Sequence, residues 1–166
     1  FVLIMIASII VNWILGLLIS KKRNHPTLSK AIIVVTVVFN LGLLFIFKYL
    51  SFSLSIIDNI FNFNLSIPSI ALPIGISFFT FQAMSYVIDV YRQKGDVQTN
   101  LLYVGLYISF FPQLIAGPIV RYKTIETELK TRKINYDDFG NGVKRFIIGL
   151  SKKVLIANIL GELCAS

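Results

Sequence analysis

The chain has 166 residues, 55% of them hydrophobic and only 14% charged, with a mean hydropathy of +0.76 and a net charge of +8. A soluble domain of this length needs far more polar surface, so composition points to an integral membrane protein of one partial domain, residues 1–166. The cations sit beside apolar segments, as the positive-inside bias expects, which sets nucleic acid aside as a partner, and a single cysteine, Cys164, excludes an internal disulfide.

The first segment, about Phe1–Ile19 (FVLIMIASIIVNWILGLLI), carries no charge over a length in the roughly 17–25 residues that cross a bilayer. Its basic residues follow rather than precede it, and a small-residue cleavage site is absent, so a spanning helix fits better than a signal peptide. A basic loop with Lys21, Lys22, Arg23 and Lys30 leads to a second segment, about Ala31–Leu50, near whose end Lys48 is expected to snorkel to the interface. Ser51–Ser69 has no Lys or Arg and one acid, Asp58, and reads as an outward-facing loop. The third segment, about Ile70–Tyr91, is opened by Pro68 and Pro73 and followed by a polar turn, Arg92–Asn100. A fourth, about Leu101–Val120, precedes a basic loop, Arg121–Gly142, and a last segment, about Val143–Leu163. The chain starts without Met and stops inside a plausible helix, which reads as part of a longer protein.

Counting cations places the loops at 20–30 and 92–100 in the cytoplasm. A full crossing by the fourth segment would then put the most basic loop outside. Either the bias fails here, or the segment is broken or re-entrant, since Pro112, Gly117 and Pro118 interrupt it. The expected fold is therefore an all-α transmembrane bundle of about four to five membrane segments, one of them broken. In the last segment Val143, Phe146, Ile147, Leu150 and Val154 share a face, compatible equally with an interfacial helix and with an ordinary spanning one.

The stretch LPIGISFFTFQAMSYVIDVYR (residues 72–92) is the most informative. On one continuous helix, Gly75, Gln82, Ser85, Tyr86, Asp89 and Arg92 fall in one stripe, with Phe79, Val87 and Ile88 elsewhere. Polar groups in hydrocarbon need partners, so the stripe faces protein or a water-filled cavity. Asp89 either pairs with Arg92 three residues on or lines a cavity; Gln82 and Tyr86 on their own read as helix-packing glue ahead of catalysis. Gln113, Gly117, Pro118 and Arg121 on the broken segment are further candidates, because interrupted helices free backbone groups for substrates. His25 reads as a solvated loop residue. No catalytic triad, metal-ligand cluster or phosphate loop is present, so the residues alone leave an enzyme, a transporter or channel, and a non-catalytic membrane scaffold open.

LPIGISFFTFQAMSYVIDVYR and LYISFFPQLIAGPIVRY resemble two motifs of the membrane-bound O-acyltransferase family, in its bacterial branch of alginate and cell-surface polysaccharide O-acetyltransferases. SIIVNWILGLLIS, FNLGLLFIFKYLSF and GVKRFIIGLSKKVLIAN are weaker matches in the same order. The resemblance implies a helical bundle around a central cavity in the bacterial cytoplasmic membrane. It implies acyl transfer from a cytoplasmic thioester, acetyl-CoA in this branch, to hydroxyls of an exported polysaccharide, with an exported esterase-like partner and no bound cofactor. The family's catalytic histidine has no matching position here, and His25 does not supply one, so the chain by itself is expected to be inactive. Gln82, Tyr86, Asp89, Arg92, Gln113, Gly117, Pro118 and Arg121 would be cavity wall, with Arg121 and Lys123 where an anionic donor approaches.

Overall fold

The computed structural model describes residues 2–61, 68, 70–114, 120–130 and 135–165, and among these every regular element is helical. Contacts divide the chain into two units, Phe1–Lys130 and Thr131–Ser166.

In the first unit, α1 (Val2–Lys21) has twenty residues, so at 1.5 Å per residue it is about 30 Å long, the thickness of a bilayer's hydrocarbon core. It ends in the Lys22–Asn24 turn, and α2 (Pro26–Leu44) starts with Pro26 in its first turn, where the missing N–H is no loss. The sequence-based second segment needs correction at its far end. Helix continues from α2 through a π turn, Phe45–Tyr49, into α3 (Leu50–Phe61), so Ser51–Phe61 is helix rather than loop. Ser55 donates to the Phe52 carbonyl at 2.7 Å, feeding its hydroxyl back into the helix instead of breaking it. Lys48 consequently lies inside a helix, its Nζ 5.5 Å from the Tyr49 ring centroid. Both α1 and the Pro26–Phe61 helix are long and apolar enough to cross a membrane.

Their apolar residues lie mostly outside. Leu3, Ile6, Ile10, Ile14 and Leu18 form an exposed stripe along α1, and Val34, Val38 and Leu41 one along α2 that continues to Phe45, the reverse of a soluble fold. Polar residues face inward instead. Asn40 Nδ2 donates to Asn12 Oδ1 at 2.8 Å, Asn12 Nδ2 to Asn40 Oδ1 at 3.2 Å, and both side chains are fully buried. Each amide also donates to the carbonyl four residues earlier, Asn12 to Ser8 and Asn40 to Thr36, both at 2.8 Å. Polar glue of this kind joins helices in a medium where apolar contact alone gives no preference for protein over lipid.

The central helix is α4 (Ile76–Tyr91), which packs on α1, α2 and the elements that follow it. Gly75 is not part of it: this residue adopts φ 74°, a left-handed conformation that turns the chain into the helix and favours glycine. Phe79, expected off the stripe, shares the face of Gln82 and Tyr86, three and seven residues on, and is fully buried there; Val87, off that face, is fully buried too, so α4 is covered on more than its polar side.

The fourth segment is broken. Asn100 Oδ1 accepts from Leu102 N at 2.9 Å and caps α5 (Leu101–Ser109), whose nine residues fall far short of the ~20 that span a bilayer. Phe110 is extended, with ψ 112°, and a single turn, α6 (Phe111–Leu114), follows with Pro112 in its first turn. Gly117 and Pro118 lie outside the described residues. The expected loop from Arg121 onward contains instead α7 (Tyr122–Lys130), which turns Tyr122 and Ile125 inward and exposes Lys123, Thr124, Thr127 and Glu128.

The second unit is one uninterrupted helical run. Asn135 Oδ1 accepts from Asp137 N at 3.3 Å and starts α8 (Tyr136–Lys152), seven residues before the expected boundary at Val143. A π turn, Lys153–Ala157, carries the run into α9 (Asn158–Ala165).

Candidate functional site

The polar stripe of α4 divides among different neighbours. Midway along α4, Gln82 Nε2 donates to Gln113 Oε1 at 2.8 Å, tying the helix to the short turn that follows the break. Gln82 is fully buried and Gln113 nearly so. Two residues predicted from separate motifs therefore meet. The Gln82 Oε1 atom is buried with no hydrogen-bond partner among the described residues, leaving a strong acceptor free at the break. Thr80 Oγ1, buried on the same helix, is also without a partner among them.

One turn further on, Tyr86 is fully buried and turns toward α1. Its hydroxyl lies 3.3 Å from Gln98 N, which donates to it, and 3.5 Å from Gln98 O. The Gln98 carbonyl also accepts from Trp13 Nε1 at 3.0 Å, so the turn after α4 is stitched back to α1. Gly16 makes this approach feasible: a Cβ at that position would lie 2.8 Å from Tyr86 Cε1 and 2.9 Å from its Oη.

Asp89 is buried and does not pair with Arg92, which closes α4 and is exposed. Its Oδ2 accepts instead from Lys123 N at 3.4 Å, in the first turn of α7. A carboxylate at a helix N-terminus satisfies an otherwise orphaned amide and complements the helix dipole, so Asp89 caps α7 from a neighbouring helix. Three rings hold the same joint. Tyr122 is fully buried and meets Tyr86 edge-to-face at 4.9 Å and Tyr107 at 5.4 Å. The Tyr107 hydroxyl donates to Val120 O at 2.7 Å, and Glu126 on α7 accepts from Asp96 N at 3.2 Å. Burial, with Glu126 nearby, pushes the Tyr122 phenol above its ordinary range and keeps it neutral. Its hydroxyl and the side-chain amide of the neighbouring Gln98 are both buried and face each other.

Of the predicted site residues, then, Gln82 and Gln113 touch, Tyr86 and Asp89 anchor the segments before and after the break, and Arg92 and Arg121 are exposed. The sequence reading missed Gly16, Gln98, Tyr107 and Tyr122. A glycine inside an otherwise bulky spanning helix hints at close approach, but Gly16 shares that signal with Gly42, where a Cβ would meet nothing within 4 Å; nothing local marks Gln98. The described residues contain no group of His, Cys, Asp and Glu able to hold a metal ion. What the arrangement supplies is a buried wall of hydrogen-bonding groups beside an interrupted helix, with the Asp89 carboxylate committed to the α7 cap, the setting in which a polar substrate is tolerated at membrane depth.

Comparison with known proteins gives consistent matches along the chain. It is 35% identical over 167 residues to a probable alginate O-acetylase of Pseudomonas aeruginosa, with 98% of this chain covered, and 34% identical over 161 residues to one of Azotobacter vinelandii. A peptidoglycan O-acetyltransferase of Helicobacter pylori is 31% identical over 183 residues, covering 93% of this chain. The chain spans about a third of the length of these relatives, 32% to 34%. No family model matches, and no solved structure does.

Proposed function

Since this chain belongs to the family of bacterial alginate and polysaccharide O-acetylases, we propose that it forms part of the cavity wall of a multi-pass, membrane-embedded O-acyltransferase. The protein transfers an acetyl group from a thioester, acetyl-CoA, supplied in the cytoplasm to hydroxyls of a cell-surface polysaccharide. The acceptor oxygen attacks the thioester carbonyl, an ester forms, and the thiol leaves. A base takes the hydroxyl proton and passes it to the departing sulfur. Histidine suits that role near neutral pH, and it comes from the portion of the protein beyond this chain. The acetylated product is then passed outward through an exported esterase-like partner.

The observation that carries this reading is the contact of Gln82 with Gln113, which brings the family-like motifs of residues 72–92 and 106–122 together around the broken segment. In it, Gln82, Tyr86 and Asp89 are wall and support, the break between α5 and α6 is the re-entrant element, and exposed Arg121 and Lys123 receive the anionic donor by charge. The test uses the full-length protein, reconstituted with acetyl-labelled CoA and acceptor polysaccharide. Labelled O-acetyl ester should appear in the polymer, and Gln82→Ala should lower its rate by more than it lowers the amount of folded protein. Absence of transfer to any polysaccharide, or a rate indifferent to Gln82→Ala at equal folded protein, refutes the reading.

A further inference from the structure

Helix α8 presents two unlike faces. Phe139, Val143, Phe146, Ile147 and Leu150 recur at helical spacing and are all exposed, Phe139 and Phe146 by more than two-thirds. The opposite face carries Asn141, Arg145 and Lys152 with one apolar residue, Ile148, among them, while Lys144 and Lys153 border the apolar strip on either side. Acids are confined to the first turn, at Asp137 and Asp138.

Two placements in a membrane are compatible with an apolar strip, and the charges decide between them. If the run Tyr136–Ala165 crossed the bilayer, any window of about twenty residues within it would enclose Lys152 and Lys153. Windows that push this pair toward one end bring Lys144 and Arg145 to the centre. A cation at the centre of a spanning helix is costly, because hydrocarbon cannot solvate it. Lying in the plane of the interface avoids that cost: the strip sinks ~5–10 Å, the bordering lysines snorkel, and Arg145 and Lys152 stay in water. We infer that α8 is an in-plane interfacial helix whose apolar face enters the leaflet while Lys144, Arg145, Lys152 and Lys153 engage anionic phospholipid headgroups. The π turn at Lys153–Ala157 then marks where the amphipathic pattern stops, since only Glu162 is charged among the described residues that follow. The inference is independent of the acyl-transfer reaction.

Site-directed spin labels at positions 139, 143, 146 and 150, in the full-length protein with its native cysteines replaced, test it in nanodiscs by oxygen and nickel-chelate accessibility. An in-plane helix gives one shallow depth at all four positions and water-exposed labels at 141 and 145. A spanning helix gives depths that change by ~16 Å between 139 and 150, and labels shielded from both reagents mean that protein covers the face; either overturns the proposal. The headgroup contact is read by repeating the measurement with anionic and purely zwitterionic lipid. Label 146 should lie deeper and move more slowly in anionic discs, and Lys144→Gln with Lys153→Gln should remove that difference. Identical behaviour in both lipids, with or without the substitutions, also overturns it.

Discussion

Gly16→Ala adds one methyl at a helix crossing that has no room for it. The new carbon would sit 2.8 Å from Tyr86 Cε1 and 2.9 Å from its hydroxyl oxygen, against an ordinary separation of about 3.5–4.0 Å. Tyr86 has little freedom to retreat, because the Tyr122 ring lies 4.9 Å away and its hydroxyl is held at Gln98. Overpacking of this kind costs about 1–3 kcal/mol. Alanine is also intrinsically better than glycine in a helix by about 1 kcal/mol, which masks part of the clash. Gly42→Ala removes that ambiguity, since a Cβ there meets nothing within 4 Å. Measured by denaturant-induced unfolding in mixed micelles, Gly42→Ala should be neutral or stabilising, and Gly16→Ala should lie about 1–3 kcal/mol below it. In a Tyr86→Ala background the two glycine substitutions should become equivalent. If Gly16→Ala tracks Gly42→Ala in the wild-type background, to within the roughly 0.3–0.5 kcal/mol of ordinary non-additivity, the close approach of α1 to Tyr86 is wrong.

Three further outcomes follow from the buried polar contacts. Replacing Asn12 and Asn40 by Leu, singly and together, should give a coupling of about 0.6 and at most about 1.7 kcal/mol, the range of interhelical hydrogen bonds in membranes; strict additivity would mean that the pair does not join α1 to α2. Gln82→Leu strands the Gln113 carbonyl and should cost about 1–3 kcal/mol, and adding Gln113→Leu should recover part of it, which unfolding of the double variant checks. Asp89→Ala should accelerate amide exchange at the start of α7, whereas Asp89→Asn keeps an acceptor for Lys123 N and should lie between it and wild type; exchange unchanged in both would remove Asp89 from the cap.

Periodicity and composition alone determined the helical class, the membrane-type surface and the inward placement of Gln82, Tyr86 and Asp89, because a long charge-free run and a polar stripe at helical spacing each have few physical solutions. The interruption of the fourth segment was legible in Pro112, though the break falls at Phe110. Helix ends were harder to read: Ser51–Phe61 looks like a loop by content and is helix, with the Ser55 hydroxyl bonding back to its own turn, and Asn135 starts α8 well before the apolar pattern begins. Partners were decided only by the tertiary structure. Arg92 is as near Asp89 in sequence as a helical pair requires, yet the carboxylate caps α7, thirty-four residues away, because the Tyr86–Tyr122–Tyr107 cluster brings that helix end against it. The same holds for Gly16 and Gln98, whose roles depend on a ring and a backbone that reach them only when α1 and α4 cross. A residue's own spacing fixes the direction of its side chain; what meets it there depends on how distant segments pack.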